Sequence, residues 1–76
     1  MKGTEQKDQI RSDVSNHALF SQLDEVQQRV ITSDVYVHWF WGIKDLANRD
    51  RNRTAELIKN HSHINAEFKP IYLDIL

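Results

Sequence analysis

The chain has 76 residues, enough for one small domain, and it contains no cysteine, which excludes disulfide bonds and thiolate metal sites. Its net charge is −1 and 28% of its residues are charged, so the chain lacks the excess of basic residues that small nucleic-acid-binding proteins usually carry. No long apolar run and no apolar leader can be identified, so we expect a soluble cytoplasmic protein without a membrane segment.

Two glycines and one proline leave few structure-breaking positions, so the predicted elements are helices. Residues 1–13 are mostly polar, and we expect them to form a mobile arm. A first helix is predicted at about residues 16–31, where apolar residues recur on one face. Ile10 and Val14 would point to the other side of that helix. Either the helix begins after Val14, or these two residues contact another part of the chain.

The second predicted helix, at about residues 35–48, holds both tryptophans and follows three helix-capping residue types at positions 32–34. At about 100° per residue, one arc of this helix carries most of its apolar residues and is predicted to face the core. The residues on this arc are Val35, Tyr36, Trp39, Phe40, Ile43, Leu46 and Ala47. A β-strand is the competing interpretation, because apolar residues also alternate from Val35 to Trp41. The helical pattern accounts for more of the residues and is preferred.

Residues 48–53 are all polar and are interpreted as a turn between two helices. A third helix is predicted at about residues 53–69, and Pro70 ends it or starts a short new element. The apolar tail at residues 71–76 should pack on the bundle or on a partner. The predicted fold is an all-α three-helix bundle with a flexible N-terminal arm and an apolar C-terminal tail. The alternative is a helical dimer in which helices 2 and 3 are continuous, because the apolar phase carries through the polar segment.

A second side of the aromatic helix is the first candidate for binding another protein. Val37 and Trp41 lie there one turn apart, away from the predicted core face. Tryptophan and tyrosine are frequent at binding hot spots, so we predict a partner-binding site on this side. Its residues are Val37, Trp41, Lys44, Asn48 and Tyr72. The competing interpretation is that the arm or the tail covers Val37 and Trp41 within the folded domain.

The one basic cluster lies in and after the polar turn, at Arg49, Arg51, Arg53 and Lys59. Such a cluster can contact phosphate, which makes a small DNA-binding regulator the alternative function. A solvated loop is the better explanation, because the charge of the whole chain is balanced. The segment also lacks the glycine that is typical of the turn in a DNA-reading helix–turn–helix unit.

Metal binding and catalysis find little support in the residues. Asp34 with His38 and His63 with Glu67 have the best spacing for metal ligands, but surface ion pairs explain both pairs equally well. His61 lies in an apolar seam and is expected to be a partly buried histidine. No catalytic motif is recognisable, so we expect neither a cofactor nor an enzyme.

These observations favour a small cytoplasmic protein–protein interaction module. An adaptor, an inhibitor or a modulator of the transcription machinery would fit, with a phage or a mobile element as one candidate source. The expected partner is another protein, and homodimerisation through the same aromatic surface is the nearest variant. Nucleic acid is a less favoured partner, and no membrane interaction is expected.

Overall fold

The computed structural model describes residues 2–76 of the chain. This part contains five α-helices and one short 3-10 helix. The α-helices are α1 (Lys2–Ser15), α2 (Glu25–Ile31), α3 (Asp34–Ala47), α4 (Arg51–Asn60) and α5 (Lys69–Ile75), and the 3-10 helix is Phe20–Gln22. No β-strand occurs among these residues, so the prediction of an all-α fold is confirmed. None of these helices combines the length and the apolar character that crossing a bilayer requires.

The central helix is α3, which contacts α1, α2 and α4, while α5 packs against α1 and α4. The buried residues come from all five helices and the segments between them. They are Ile10, Val14, Leu23, Ile31, Val37, Phe40, Ile58, Ile64, Phe68, Ile71 and Tyr72. Stacking of Phe40 on Tyr72, with ring centroids 4.7 Å apart, joins α3 to α5 at the middle of this core.

Aspartate side chains mark the start of two helices. The carboxylate of Asp24 accepts a hydrogen bond of 2.8 Å from the backbone N–H of Gln27, which caps α2. The carboxylate of Asp50 accepts one of 3.0 Å from the backbone N–H of Arg53, which caps α4. Because α3 ends at Ala47 and α4 begins only after Asp50, a turn separates the two helices as predicted and they are not continuous. The turn is shorter than the predicted 48–53, because residues 51–53 already belong to α4.

The N-terminal segment differs from its prediction. Residues 2–13 belong to α1 instead of forming a mobile arm, whereas Met1 lies outside the described residues. Ile10 and Val14, one helical turn apart, are both buried because α1 lies along α3. The second of the two interpretations is therefore correct, and these residues contact the rest of the core.

Two predicted helices are shorter in the structure. The helix expected at residues 16–31 forms only from Glu25, because residues 16–24 adopt a turn and the 3-10 helix before the Asp24 cap. The helix expected at residues 53–69 ends at Asn60, and α5 then begins at Lys69 with a proline in its first turn. In both segments, side-chain hydrogen bonds to the backbone replace the helical ladder.

The buried face of α3 is also different from the predicted one. Val35 is 75% exposed and Leu46 is 45% exposed, although both were placed on the core-facing arc. Val37 is only 1% exposed. The buried side is turned toward Val37 because α1 covers that side of the helix. Phe40 lies on both the predicted and the observed faces and is fully buried.

Candidate functional site

The predicted partner-binding side of α3 lies under α1. Trp41, Lys44 and Asn48 line one groove of about 220 Å³ together with side chains of α1. The Trp41 indole N–H donates a hydrogen bond to the Gln6 side-chain oxygen, and the Lys7 ammonium lies 5.3 Å from the centre of the Trp41 ring. The spacing of these three predicted residues is thus correct, but α1 partly covers Trp41.

The other two predicted residues are not accessible to a partner. Val37 and Tyr72 are each 1% exposed, so their assignment to a binding surface is wrong. Val37 lies on the side of α3 that α1 covers, and Tyr72 lies on α5 with its ring stacked on Phe40 and edge-on to Trp39. The Tyr72 hydroxyl has no hydrogen-bond partner within the described residues. Burial raises the pKa of this hydroxyl well above its ordinary value, and the nearby Tyr36 adds to the shift.

An apolar surface lies instead on the other side of α3. A cleft of about 200 Å³, which we call the apolar cleft, opens between α3 and the turn that follows α4. Its walls are formed by Val35, Tyr36, Trp39, His61, His63 and Ile64. Val35 and Trp39 stand one turn apart on the same side of α3. Most of the Val35 side chain is open to water, and it shares the cleft with the half-buried Tyr36 and Trp39. A group of accessible apolar side chains, unlike a single one, is typical of a binding surface.

The turn after α4 fixes one wall of the apolar cleft. The His61 ring stands edge-on to the Trp39 ring, with centroids 5.4 Å apart. The backbone N–H of His63 donates a hydrogen bond of 3.2 Å to His61 Nδ1, which leaves Nε2 as the protonated nitrogen of the neutral ring. His61 therefore acts mainly as a wall of the cleft, held between an aromatic neighbour and its own turn.

A second cleft, which we call the adjoining cleft, continues the surface along α4. It is lined by Arg53, Glu56, Leu57, Asn60, His61, Ser62 and His63, so it shares both histidines with the apolar cleft. Leu57 is 46% exposed, and Arg53 is exposed beside it. The two clefts together form a continuous surface from α3 to α4, which we call the α3–α4 surface.

The predicted basic cluster lies at the start of α4 and along it. Arg49, Arg51, Arg53 and Lys59 are all exposed, and none of them forms an ion pair within residues 5–76. Of the four, only Arg53 lines the adjoining cleft. The arginines are thus available to an acidic group, and one of them stands next to the exposed Leu57.

The histidine–carboxylate pairs considered for metal binding do not converge. The carboxylate of Asp34 accepts a hydrogen bond from Arg11, while the ring of His38 lies 5.6 Å from the Trp41 ring. His17 pairs with Asp74 at 2.7 Å, joining the segment after α1 to α5. Within the part of the chain that the structure describes, no three side chains of the metal-binding types are grouped together.

Sequence reasoning missed Val35 and Leu57 as accessible residues. Both occupy apolar positions in regular helical patterns, so their spacing alone assigns them to the core. One signal could have found such residues. Apolar side chains surround most of α3, and a small domain cannot cover all of them.

Comparison with known protein families, with curated proteins and with solved structures gives no match to this chain.

Proposed function

We propose that this chain is a protein–protein interaction module that binds its partner through the α3–α4 surface. The observation that carries the proposal is the exposure of Val35, 75%, at the edge of a cleft whose walls are almost entirely apolar. Burying one valine or leucine side chain stabilises a complex by about 1.5–3 kcal/mol, so a few such residues can supply much of a binding free energy.

The composition of the surface also supports this proposal. Trp39 and Tyr36 belong to the residue types that most often dominate binding energies, and both are half-buried, so each already has a fixed position before a partner arrives. Rigid aromatic side chains lose little conformational entropy on binding. The apolar cleft would therefore receive a partner side chain without rearrangement of α3.

The experiment compares two exposed valines. Val35 lies at the apolar cleft, whereas Val26, which is 67% exposed on α2, lines neither cleft. A photoreactive amino acid at position 35, introduced in the cells that make the protein, would capture the partner for identification and purification. The dissociation constant of the purified partner is then measured for the unmodified chain, for Val35→Ser and for Val26→Ser.

We expect Val35→Ser to weaken binding about tenfold or more, since that is the effect of losing roughly 1.4 kcal/mol at a buried contact. Val26→Ser should change it by less than about twofold, since a surface substitution away from the contact has a small effect. Both variants should fold alike because both side chains are exposed. Equal effects of the two substitutions, or capture at position 35 of no protein at all, would contradict the proposal.

A second copy of the chain is the nearest variant of this function. Light scattering on a size-exclusion column over a series of concentrations measures the mass directly. A dimer that dissociates on Val35→Ser, but not on Val26→Ser, would identify the partner as another copy. A monomer at every concentration leaves a different protein as the partner.

DNA binding remains the second candidate function, and one observation favours it. Three arginines near the start of α4 (Arg49, Arg51 and Arg53) and Lys59 in its last turn are exposed and carry no ion pair within residues 5–76. A regulator of this kind would lose affinity for duplex DNA steeply with added salt, and Arg51→Ala would reduce that dependence. Binding that is absent or independent of salt would exclude it.

A further inference from the structure

We infer that the partner presents an acidic helical segment to the α3–α4 surface, with one large apolar side chain in the apolar cleft and a carboxylate against Arg53. This inference rests on the proposed function and adds the chemistry of the partner. It follows from the size of the apolar cleft, from the position of Arg53 at the adjoining cleft, and from the absence of any ion pair of Arg53 within residues 5–76.

The apolar cleft has room for one large side chain. Its volume is about 200 Å³. For comparison, an apolar cavity of about 150 Å³ in a protein core can hold a benzene molecule. Because its walls offer few polar atoms, an apolar side chain such as leucine or phenylalanine would fit better than a charged one. The cleft is open to solvent, so the side chain can enter from a partner helix lying across α3.

The charges of α4 and of the turn before it favour carboxylates. Arg53 is the basic residue of this segment that lines the adjoining cleft; Glu56 lines it too, but Arg53 forms no ion pair with it or with any other residue within residues 5–76. Residues 49–60 contain four basic and two acidic residues, although the whole chain has a net charge of −1. One of those two carboxylates, Asp50, already accepts the backbone N–H that caps α4. Arg53 stands at the edge of the adjoining cleft with Leu57, where its guanidinium can meet a carboxylate in a two-point hydrogen bond.

The same features weigh against two other occupants. Nucleic acid would use the basic residues but would leave Val35 and Leu57 uncovered. A second copy that placed the start of α4 on the two-fold axis would bring two identical basic clusters together, and like charges at an interface oppose binding. An acidic segment with an apolar anchor satisfies both the apolar cleft and the arginines.

The test uses two synthetic helical peptides of about 18 residues, or five turns. Both peptides carry the same leucine stripe; one has glutamates flanking the stripe and the other has lysines. Their affinities are measured by fluorescence anisotropy at low and at physiological ionic strength, with a duplex DNA of random sequence as a third ligand. The protein variants are Arg53→Glu, Glu56→Gln, Val35→Ser and, as a control for net charge, Arg29→Glu on α2, which lines neither cleft. Arg29 forms a surface ion pair with Glu25, so circular dichroism first checks that this variant folds like the unmodified chain.

We expect the glutamate peptide to bind about tenfold more tightly than the lysine peptide at low ionic strength, and this preference should shrink with added salt. Arg53→Glu should remove most of the preference, whereas Arg29→Glu should leave it, although the two variants have the same net charge. Glu56→Gln should increase it, because this residue is the carboxylate that lines the adjoining cleft. Val35→Ser should weaken both peptides.

Three outcomes would overturn the inference. Equal affinity for the two peptides, or binding of neither, would exclude an acidic partner segment; if Val35→Ser still weakens binding of the natural partner, the proposed function stands. A preference for glutamate that survives Arg53→Glu would place the carboxylates elsewhere. Arg53-dependent binding of the DNA, with no binding of either peptide, would identify nucleic acid as the ligand and would contradict the proposed function as well.

Discussion

Replacement of Tyr72 by phenylalanine should make the protein more stable. The Tyr72 hydroxyl is buried and has no hydrogen-bond partner within the described residues. A buried polar group without a partner costs about 1–3 kcal/mol. Phenylalanine keeps the stacking on Phe40 at 4.7 Å and the edge contact with Trp39 at 5.4 Å, so only the unsatisfied oxygen is removed. We therefore expect the free energy of unfolding to rise by about 1–2 kcal/mol.

This increase is large for a small domain. A change of 1 kcal/mol shifts the melting temperature of a domain of this size by about 4–8 °C, which circular dichroism measures easily. Urea unfolding gives the free energy independently. The control is Tyr36→Phe, since the Tyr36 side chain is only partly buried and its loss of a hydroxyl should have little effect. If Tyr72→Phe instead lowers stability by about 1 kcal/mol or more, the hydroxyl has a partner that the reasoning overlooks.

Three further predictions concern stability. Because the pKa of Tyr72 is raised by burial, the folded state keeps this proton when the unfolded chain has lost it. Tyr72 should therefore not change the stability below about pH 10 and should lower it as the pH rises above that value, and Tyr72→Phe should reduce the slope measured by urea unfolding. Gly42→Ala should stabilise the protein by about 0.5–1 kcal/mol in thermal melts, because alanine favours a helix more than glycine does and the added Cβ meets no atom within 4 Å. Destabilisation would show that α3 needs the glycine. Asp50→Ala should lower the free energy of unfolding in urea by about 1 kcal/mol, because it removes the hydrogen bond to the Arg53 N–H. Asp50→Asn should keep most of the stability, since asparagine can accept the same bond. Equal stability of all three proteins would exclude a capping role.

The α3 helix shows what the sequence pattern decides and what it leaves open. Its bounds are predicted well because residues of helix-capping type precede it and polar residues follow it. The Ser33 hydroxyl nevertheless donates its hydrogen bond to the Val30 carbonyl at the end of α2 and does not cap α3. Its buried face is predicted wrongly because large apolar residues occupy most of its circumference. Periodicity identifies the buried face of a helix only when one side is clearly more apolar than the others. In α3 the side of Val35 and the side of Val37 are almost equally apolar. The buried side of α3 is the one that α1 covers, and the polar sequence of α1 predicts a mobile arm instead of a packed helix.

Two other elements show why local patterns are insufficient. The α1 helix is polar except for a few positions, and its only strong signal is the spacing of Ile10 and Val14 by one turn. The end of α4 at Asn60 carries no glycine or proline, so no local residue type announces it. His61 and the turn after it are stabilised by contacts with Trp39 and with His63, which become visible only when the chain is folded.

The sequence predicts which residues of α3 share one groove but not which of its apolar residues remain accessible. The aromatic character of α3 suggests a binding surface, and the spacing of Trp41, Lys44 and Asn48 correctly brings these three residues to one groove. That groove is partly covered by α1. The uncovered surface lies beyond Val35 on the other side of the helix, because burial is decided by which helices pack against α3 and not by the apolar pattern of α3 itself.

The positions of the two tryptophans give this chain a spectroscopic use. Trp39 and Trp41 are two residues apart on one helix, so they point in directions that differ by about 200°. Trp39 forms a wall of the apolar cleft, whereas Trp41 lies beneath α1 next to Lys7. With Trp41 replaced by phenylalanine, the remaining indole emission comes only from the cleft. With Trp39 replaced, it comes only from the contact with α1. Two single-tryptophan variants thus separate an event at the apolar cleft from movement of the N-terminal helix, without any attached dye.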